Sequence, residues 1–143
     1  MDVKGRRFPS GDDESRQYWK NWSTRDDLKS LAHWEALFGE NFRGLFVFAY
    51  HILLDRAPLP AEKLFEYRGE LYGFVAVTLA DYEAGCHQIS PRWDTVAMPT
   101  EQFRQLARPI DDFLFPSPGV SCHTSCAVRG SPDPAPPGTE GLQ

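Results

Sequence analysis

Asp2, Lys4 and Arg6 occupy alternate positions in the opening stretch MDVKGRRF. An extended strand sends alternate side chains to one face, so these three would project together while Val3 points the other way. An acid and a lysine two apart on a strand suit metal-assisted phosphodiester hydrolysis. The carboxylate holds a divalent cation, which lowers the pKa of a bound water and neutralises charge building on the phosphate. The lysine orients that water or stabilises the developing negative charge. On this reading Asp2 and Lys4 are the catalytic pair and Asp2 is the metal ligand. Mg²⁺ takes an octahedral shell of oxygens, so one carboxylate makes a poor site. Mg²⁺ is therefore expected only if further acids lie upstream of Asp2. The same residues also fit a solvated, charged chain start.

Other reactive side chains are less well placed. Cys122, His123 and Cys126 in CHTSC offer three zinc ligands where a structural site uses four. Cys86 and His87 lie near Glu83 without a second base or an oxyanion device, so a cysteine nucleophile is not supported. His33 follows the apolar positions of a helix and reads as an edge-packing residue. His51 ends a buried strand, where a satisfied histidine is the simpler reading. Trp22, Trp34, Phe42, Tyr50, Tyr67 and Tyr72 could stack on bases, but the surrounding apolar pattern places most of them in the core. Arg92 beside Trp93 in SPRW suits either a phosphate and a base or the anchoring of a loop. Arg6, Arg7 and Arg92 are the candidate nucleic-acid contacts.

The elements that must position these residues are legible in part. Residues 9 to 22 carry turn formers and charges and read as a loop. STRDDLKSLAHWEALFG predicts a helix capped by Ser23, with Asp26 as the acid three residues on and Gly39 as its stop. Its apolar face comprises Leu28, Leu31, Ala32, Trp34, Leu37 and Phe38. FRGLFVFAYHILL has apolar residues on both alternations and predicts a strand covered on both sides. RAPLPAEK reads as a surface connection, and LFEYRGELYGFVAVTL as a hairpin turning at Arg68, Gly69 and Glu70. Residues 79 to 87 predict a short helix and WDTVAMP a short strand. TEQFRQLARP predicts a helix capped by Thr100. From Pro116 onward the chain is rich in Pro, Gly and Ser, and a disordered tail over 116–143 is expected.

The composition bounds the function. With 143 residues, length favours one domain, here 1–115 before the tail. A net charge of −5 argues against broad attraction to nucleic acid or anionic membrane, while leaving room for a local basic patch. No apolar run approaches the ~20 residues of a membrane helix. The start lacks the apolar stretch of a signal peptide. Three cysteines do not suggest a disulfide scaffold, and a cytoplasmic location is expected.

Taken together, DVKGRRFP, NWSTRDDLKSLAHWEALFG with FRGLFVFAYHI, and SPRWDTVAMP resemble the C-terminal part of the HYExAFE family, an uncharacterised group of bacterial proteins. The resemblance covers roughly residues 2 to 114. The family's name motif, His-Tyr-Glu-x-Ala-Phe-Glu, has no counterpart in this chain. The family's arrangement is similar to the PD-(D/E)XK nucleases, which include archaeal Holliday junction resolvases and restriction enzymes. Through that resemblance Asp2 and Lys4 match the D-x-K half of the motif, while the first aspartate and the helix glutamate would lie upstream.

The resemblance implies an α/β or α+β fold: a partial restriction-endonuclease-like core of strand, helix and strand with a hairpin extending the sheet. It implies a metal-dependent nuclease acting on DNA, inactive as these 143 residues stand. The alternative is a non-catalytic binding or assembly protein. Met1 stands where valine would suit the strand, and a valine codon can double as a bacterial start codon, so a longer protein is expected. An uncovered sheet edge would then invite homo-oligomerisation.

Overall fold

The computed structural model describes residues 1–12, 14–53 and 63–115. The element order is β1 (Asp2–Phe8), β2 (Ser23–Thr24), α1 (Arg25–Phe38), β3 (Leu45–Ile52), β4 (Phe65–Tyr67), β5 (Glu70–Thr78), α2 (Leu79–Gly85), β6 (His87–Ser90), β7 (Thr95–Ala97), α3 (Thr100–Leu106), β8 (Arg108–Pro109) and α4 (Asp111–Leu114). The tail over 116–143, with the CHTSC cysteines and His123, lies outside the described residues, as does most of RAPLPAEK.

The fold is α+β. The larger sheet runs β1-β3-β5-β4, with β8 pairing β5. β1 is parallel to β3, whereas β5 is antiparallel to β3, β4 and β8. The smaller sheet has the order β2-β7-β6. Among the described residues no helix is long and apolar enough to cross a membrane.

The apolar run at Leu45–Ile52 becomes the inner strand β3, with Phe46, Val47, Phe48, Tyr50 and Ile52 all buried. Between β4 and β5, Arg68 and Gly69 take φ of 53° and 79°, the left-handed pair of a tight hairpin turn. β8 pairs Val75 and Ala76, beyond the residues that β4 pairs. It extends the same edge of β5 where the short β4 leaves backbone groups free.

Register divides the larger sheet into two faces. Asp2, Lys4, Arg6 and Phe8 share one with Phe46, Phe48, Tyr50 and Ile52. That face carries the aromatic core: Phe48 meets Phe103 at 5.1 Å, Phe46 meets Tyr82 at 4.9 Å and Phe8 meets Tyr50 at 5.2 Å. The Tyr82 hydroxyl donates to Asn21 O at 2.5 Å, and the Asn21 amide exchanges hydrogen bonds with Met98, at 3.0 and 2.9 Å. These bonds fasten the 18–22 segment, which leads into β2, against the core. Gly44 has to be small: a Cβ there would lie 2.9 Å from Leu31 Cγ and 3.2 Å from Leu79 Cβ.

Three local expectations are corrected. α1 is capped by Thr24, not Ser23, and the answering acid is Asp27, not Asp26. The physical cause is the pairing of Ser23–Thr24 with Val96 and Thr95, which keeps the chain extended for one more residue. Thr100 lies within α3, whose N-cap is Pro99 with no side-chain hydrogen bond. The apolar face of α1 is only partly buried. Leu28 and Leu31 are buried, but Trp34 is 51% exposed, Leu37 62% and Phe38 54%. Among the described residues β1 is the outermost strand on this side of the sheet, and no further strand there covers them.

Phe48 and Trp34 should therefore respond differently to truncation. Phe48→Ala should lose about 3–5 kcal/mol of unfolding free energy through the cavity it leaves. Trp34→Ala should cost under about 1 kcal/mol. Urea unfolding of the two variants checks this; equal losses would contradict the burial pattern.

Candidate functional site

β1 and the first turn of α1 bring three charged groups together. Lys4 Nζ lies 2.9 Å from Asp2 Oδ2 and 2.7 Å from Asp27 Oδ2. Asp2 and Lys4 meet because they share a strand face. Asp27 joins them because α1 begins directly above that face, 23 residues further along the chain. Sequence reasoning missed Asp27. The signal available was its place in a capping box, one residue out of the predicted register.

Asp27 has several tasks. Its Oδ2 accepts from Lys4 Nζ, from Ser23 Oγ at 3.0 Å and from Thr24 N at 3.0 Å, while its own N–H donates to Thr24 Oγ1 at 3.1 Å. Burial alone would raise its pKa, but the bonds from Lys4, Thr24 and Ser23 outweigh it and hold the carboxyl well below the usual carboxylate range. For Lys4, burial alone would lower the pKa, and the contacts with Asp27 and Asp2 reverse this to a net rise. Both groups stay charged at neutral pH, and the ammonium occupies the space between the two carboxylates. No group of three or more His, Cys, Asp or Glu able to hold a metal ion occurs among the described residues.

Arg6 continues the same face. Its Nη1 donates to Gly5 O at 2.8 Å and its Nη2 to Trp22 O at 2.6 Å, with the guanidinium 4.1 Å above the Trp22 ring. Burial lowers its pKa, and Nε is buried with no hydrogen-bond partner among the described residues. Arg6 thus clasps the 18–22 segment to β1. Arg7 is exposed on the opposite face. Arg92 is exposed in the turn between β6 and β7, 5.1 Å from the Trp93 ring. That turn is tied to the start of α1 by Arg25, whose N–H donates to Asp94 O at 3.0 Å and whose Nε lies 3.2 Å from Asp94 Oδ1. Asp2 and Lys4 therefore converge with Asp27, Arg6 lies beside them on β1, and Arg7 and Arg92 lie on other surfaces.

The remaining candidates are mostly in structural contacts. His51 Nε2 is 2.6 Å from Glu70 Oε2 and its ring stacks on Tyr72, so it is a satisfied strand-end histidine. His33 is exposed and meets the Trp34 ring edge-on at 6.2 Å. The Cys86 thiol is pushed up in pKa by burial, and it donates to Glu83 O at 3.8 Å. Of the six aromatics read as core or base-stacking residues, Tyr50 is fully buried and donates to Lys20 O at 3.0 Å. Trp22, Trp34, Phe42 and Tyr67 are exposed, which corrects the core reading for them. Trp34 stacks on Phe38 at 5.7 Å and Phe38 meets Phe42 at 5.0 Å. With Met1 and Leu31 these rings line a groove of about 340 Å³ beside the start of β1.

The chain matches no protein-family model, no curated protein and no solved structure.

The Asp27 pairings set a pH dependence. A carboxylate whose pKa falls on folding stabilises the protein above its unfolded-state value, about 3.9. That contribution is lost as the pH drops through the folded-state value. Lys4, raised on folding, contributes below its unfolded value and loses that contribution as the pH climbs through its folded one. Asp27→Asn should lower the urea midpoint at pH 7 and flatten its decline below about pH 4. An acid limb as steep as that of the unmodified protein would contradict the assignment.

Proposed function

We propose that this chain is a non-catalytic assembly module. The reading rests on how Lys4 is used: its ammonium is held between Asp2 and Asp27, and Asp27 is committed to the cap of α1. A metal entering there would have to displace a paired ammonium and compete with the helix cap. Exposed apolar surface supports the same reading. Met1, Val3, Trp34, Phe38 and Phe42 are each more than half exposed, and aromatic patches of this kind mark interaction sites.

A second reading has its own support in the arrival of Asp27. It adds a second carboxylate to the Asp2–Lys4 pair inferred from the D-x-K spacing. On this reading the chain is a nuclease-like domain: Asp2 and Asp27 hold Mg²⁺, Lys4 turns toward the phosphate, and Arg7 and Arg92 contact DNA.

Incubation with linear and branched DNA in millimolar Mg²⁺ or Mn²⁺, alongside Asp2→Ala and Lys4→Ala, separates the two. The assembly reading expects no cleavage and no saturable metal binding by calorimetry. Divalent-dependent cleavage that is lost in both variants would overturn it in favour of the nuclease.

A further inference from the structure

The outer edge of β1 has a hydrogen-bonding pattern that can be deduced from one contact. Leu53 N donates to Phe8 O at 2.9 Å, so the backbone of Phe8 faces β3. Backbone groups alternate sides along a strand, so Asp2, Lys4 and Arg6 also face β3, while the N–H and C=O groups of Val3 and Gly5 point outward. No strand pairs with them among the described residues. The Arg6 guanidinium covers this edge at Gly5 O and so marks where free pairing ends.

We propose that a second copy of this chain adds to this edge, antiparallel, with a two-fold axis at Val3. The inference rests on the assembly reading and names the partner. Only registers that oppose outward-facing residues are open, and charge chooses among them. With the axis at Val3, Asp2 faces Lys4 of the second copy and Lys4 faces its Asp2. With the axis at Lys4, the two ammonium groups meet. With the axis at Gly5, Lys4 meets Arg6 twice. Like charges directly opposite destabilise a pair and opposite charges support it.

The Val3 register also matches hydrogen-bond donors to acceptors. Val3 N–H donates to Val3 O of the other copy and the reverse, and each Gly5 N–H donates to Met1 O across the pair. The exposed Val3 side chains meet on one face of the joined sheet. On the other face the two-fold axis sets both α1 helices side by side. Their grooves, lined by Met1, Leu31, Trp34, Phe38 and Phe42, lie at the start of β1, and in this arrangement they offer the apolar contact that a short strand pairing lacks.

Light scattering on the full chain after gel filtration should report a dimer. Val3→Pro should convert it to a folded monomer, because the N–H it removes points away from β3 and edge strands accept proline there. Placed in a chain whose native cysteines are serine, Val3→Cys and Gly5→Cys then read the register. Hydrogen-bonded partners lie about 5.5 Å apart at Cα, within disulfide reach, whereas the two Gly5 sites would be roughly 14 Å apart. Val3→Cys should therefore form the linked dimer at least about tenfold faster than Gly5→Cys. A monomer at every concentration, or equal linkage from both positions, would overturn the proposal. A dimer that cleaves DNA would instead overturn the assembly reading and leave the contact standing.

Discussion

The ammonium of Lys4, held 2.9 Å from Asp2 and 2.7 Å from Asp27, is the interaction around which this end of the molecule is organised. A lysine on the core-facing side of a strand costs desolvation unless it is paired. Here the pairing does two things. It satisfies the charge where the aromatic core runs out, and it fixes the first turn of α1 over β1. Ser23 and Thr24 then complete the coordination of Asp27 while their backbones pair with β7. One carboxylate thus links the larger sheet, the helix start and the smaller sheet.

The outer strand is consequently arranged with charge toward the core and Val3 toward solvent. Asp2, Lys4 and Arg6 are half-buried against α1 and Trp22, whereas Val3 is 56% exposed. The helix that covers these charges presents Leu28 and Leu31 to the core, and Trp34 and Phe38 remain outside. An edge strand whose outward backbone groups pair with no strand among the described residues, beside exposed aromatic rings, is a surface that proteins ordinarily blunt or cover. In the proposed dimer a second copy covers it, and the acid–lysine pair takes part in that contact.

Local signals and long-range ones are unequally legible in the sequence. The run Leu45–Ile52, the Arg68–Gly69 turn and the 3.6-residue pattern of α1 each declare themselves within a few residues, and each forms the expected element. The alternation of Asp2, Lys4 and Arg6 onto one face is legible for the same reason. Asp27 is not, because its role depends on β1 passing beneath the first turn of α1, which sets Asp27 against a lysine 23 residues earlier in the chain. A shift of one residue in the cap, imposed by pairing with β7, is enough to point to Asp26 instead. His87–Ser90 and Arg108–Pro109 carry no periodic pattern and become strands only because edges of β7 and β5 are free to pair. The stripe along α1 is apolar as its spacing predicts, but periodicity does not say how far the sheet beneath extends.

On the proposed assembly reading, Lys4 and Asp27 form a structural pair rather than part of a metal site. A double-mutant cycle tests this most directly, with Lys4→Met, Asp27→Asn and the combination unfolded in urea with and without Mg²⁺. A structural pair predicts a favourable coupling of about 0.5–1 kcal/mol, unchanged by the metal. Zero coupling, or a Lys4→Met protein that Mg²⁺ stabilises through Asp2 and Asp27, would contradict it.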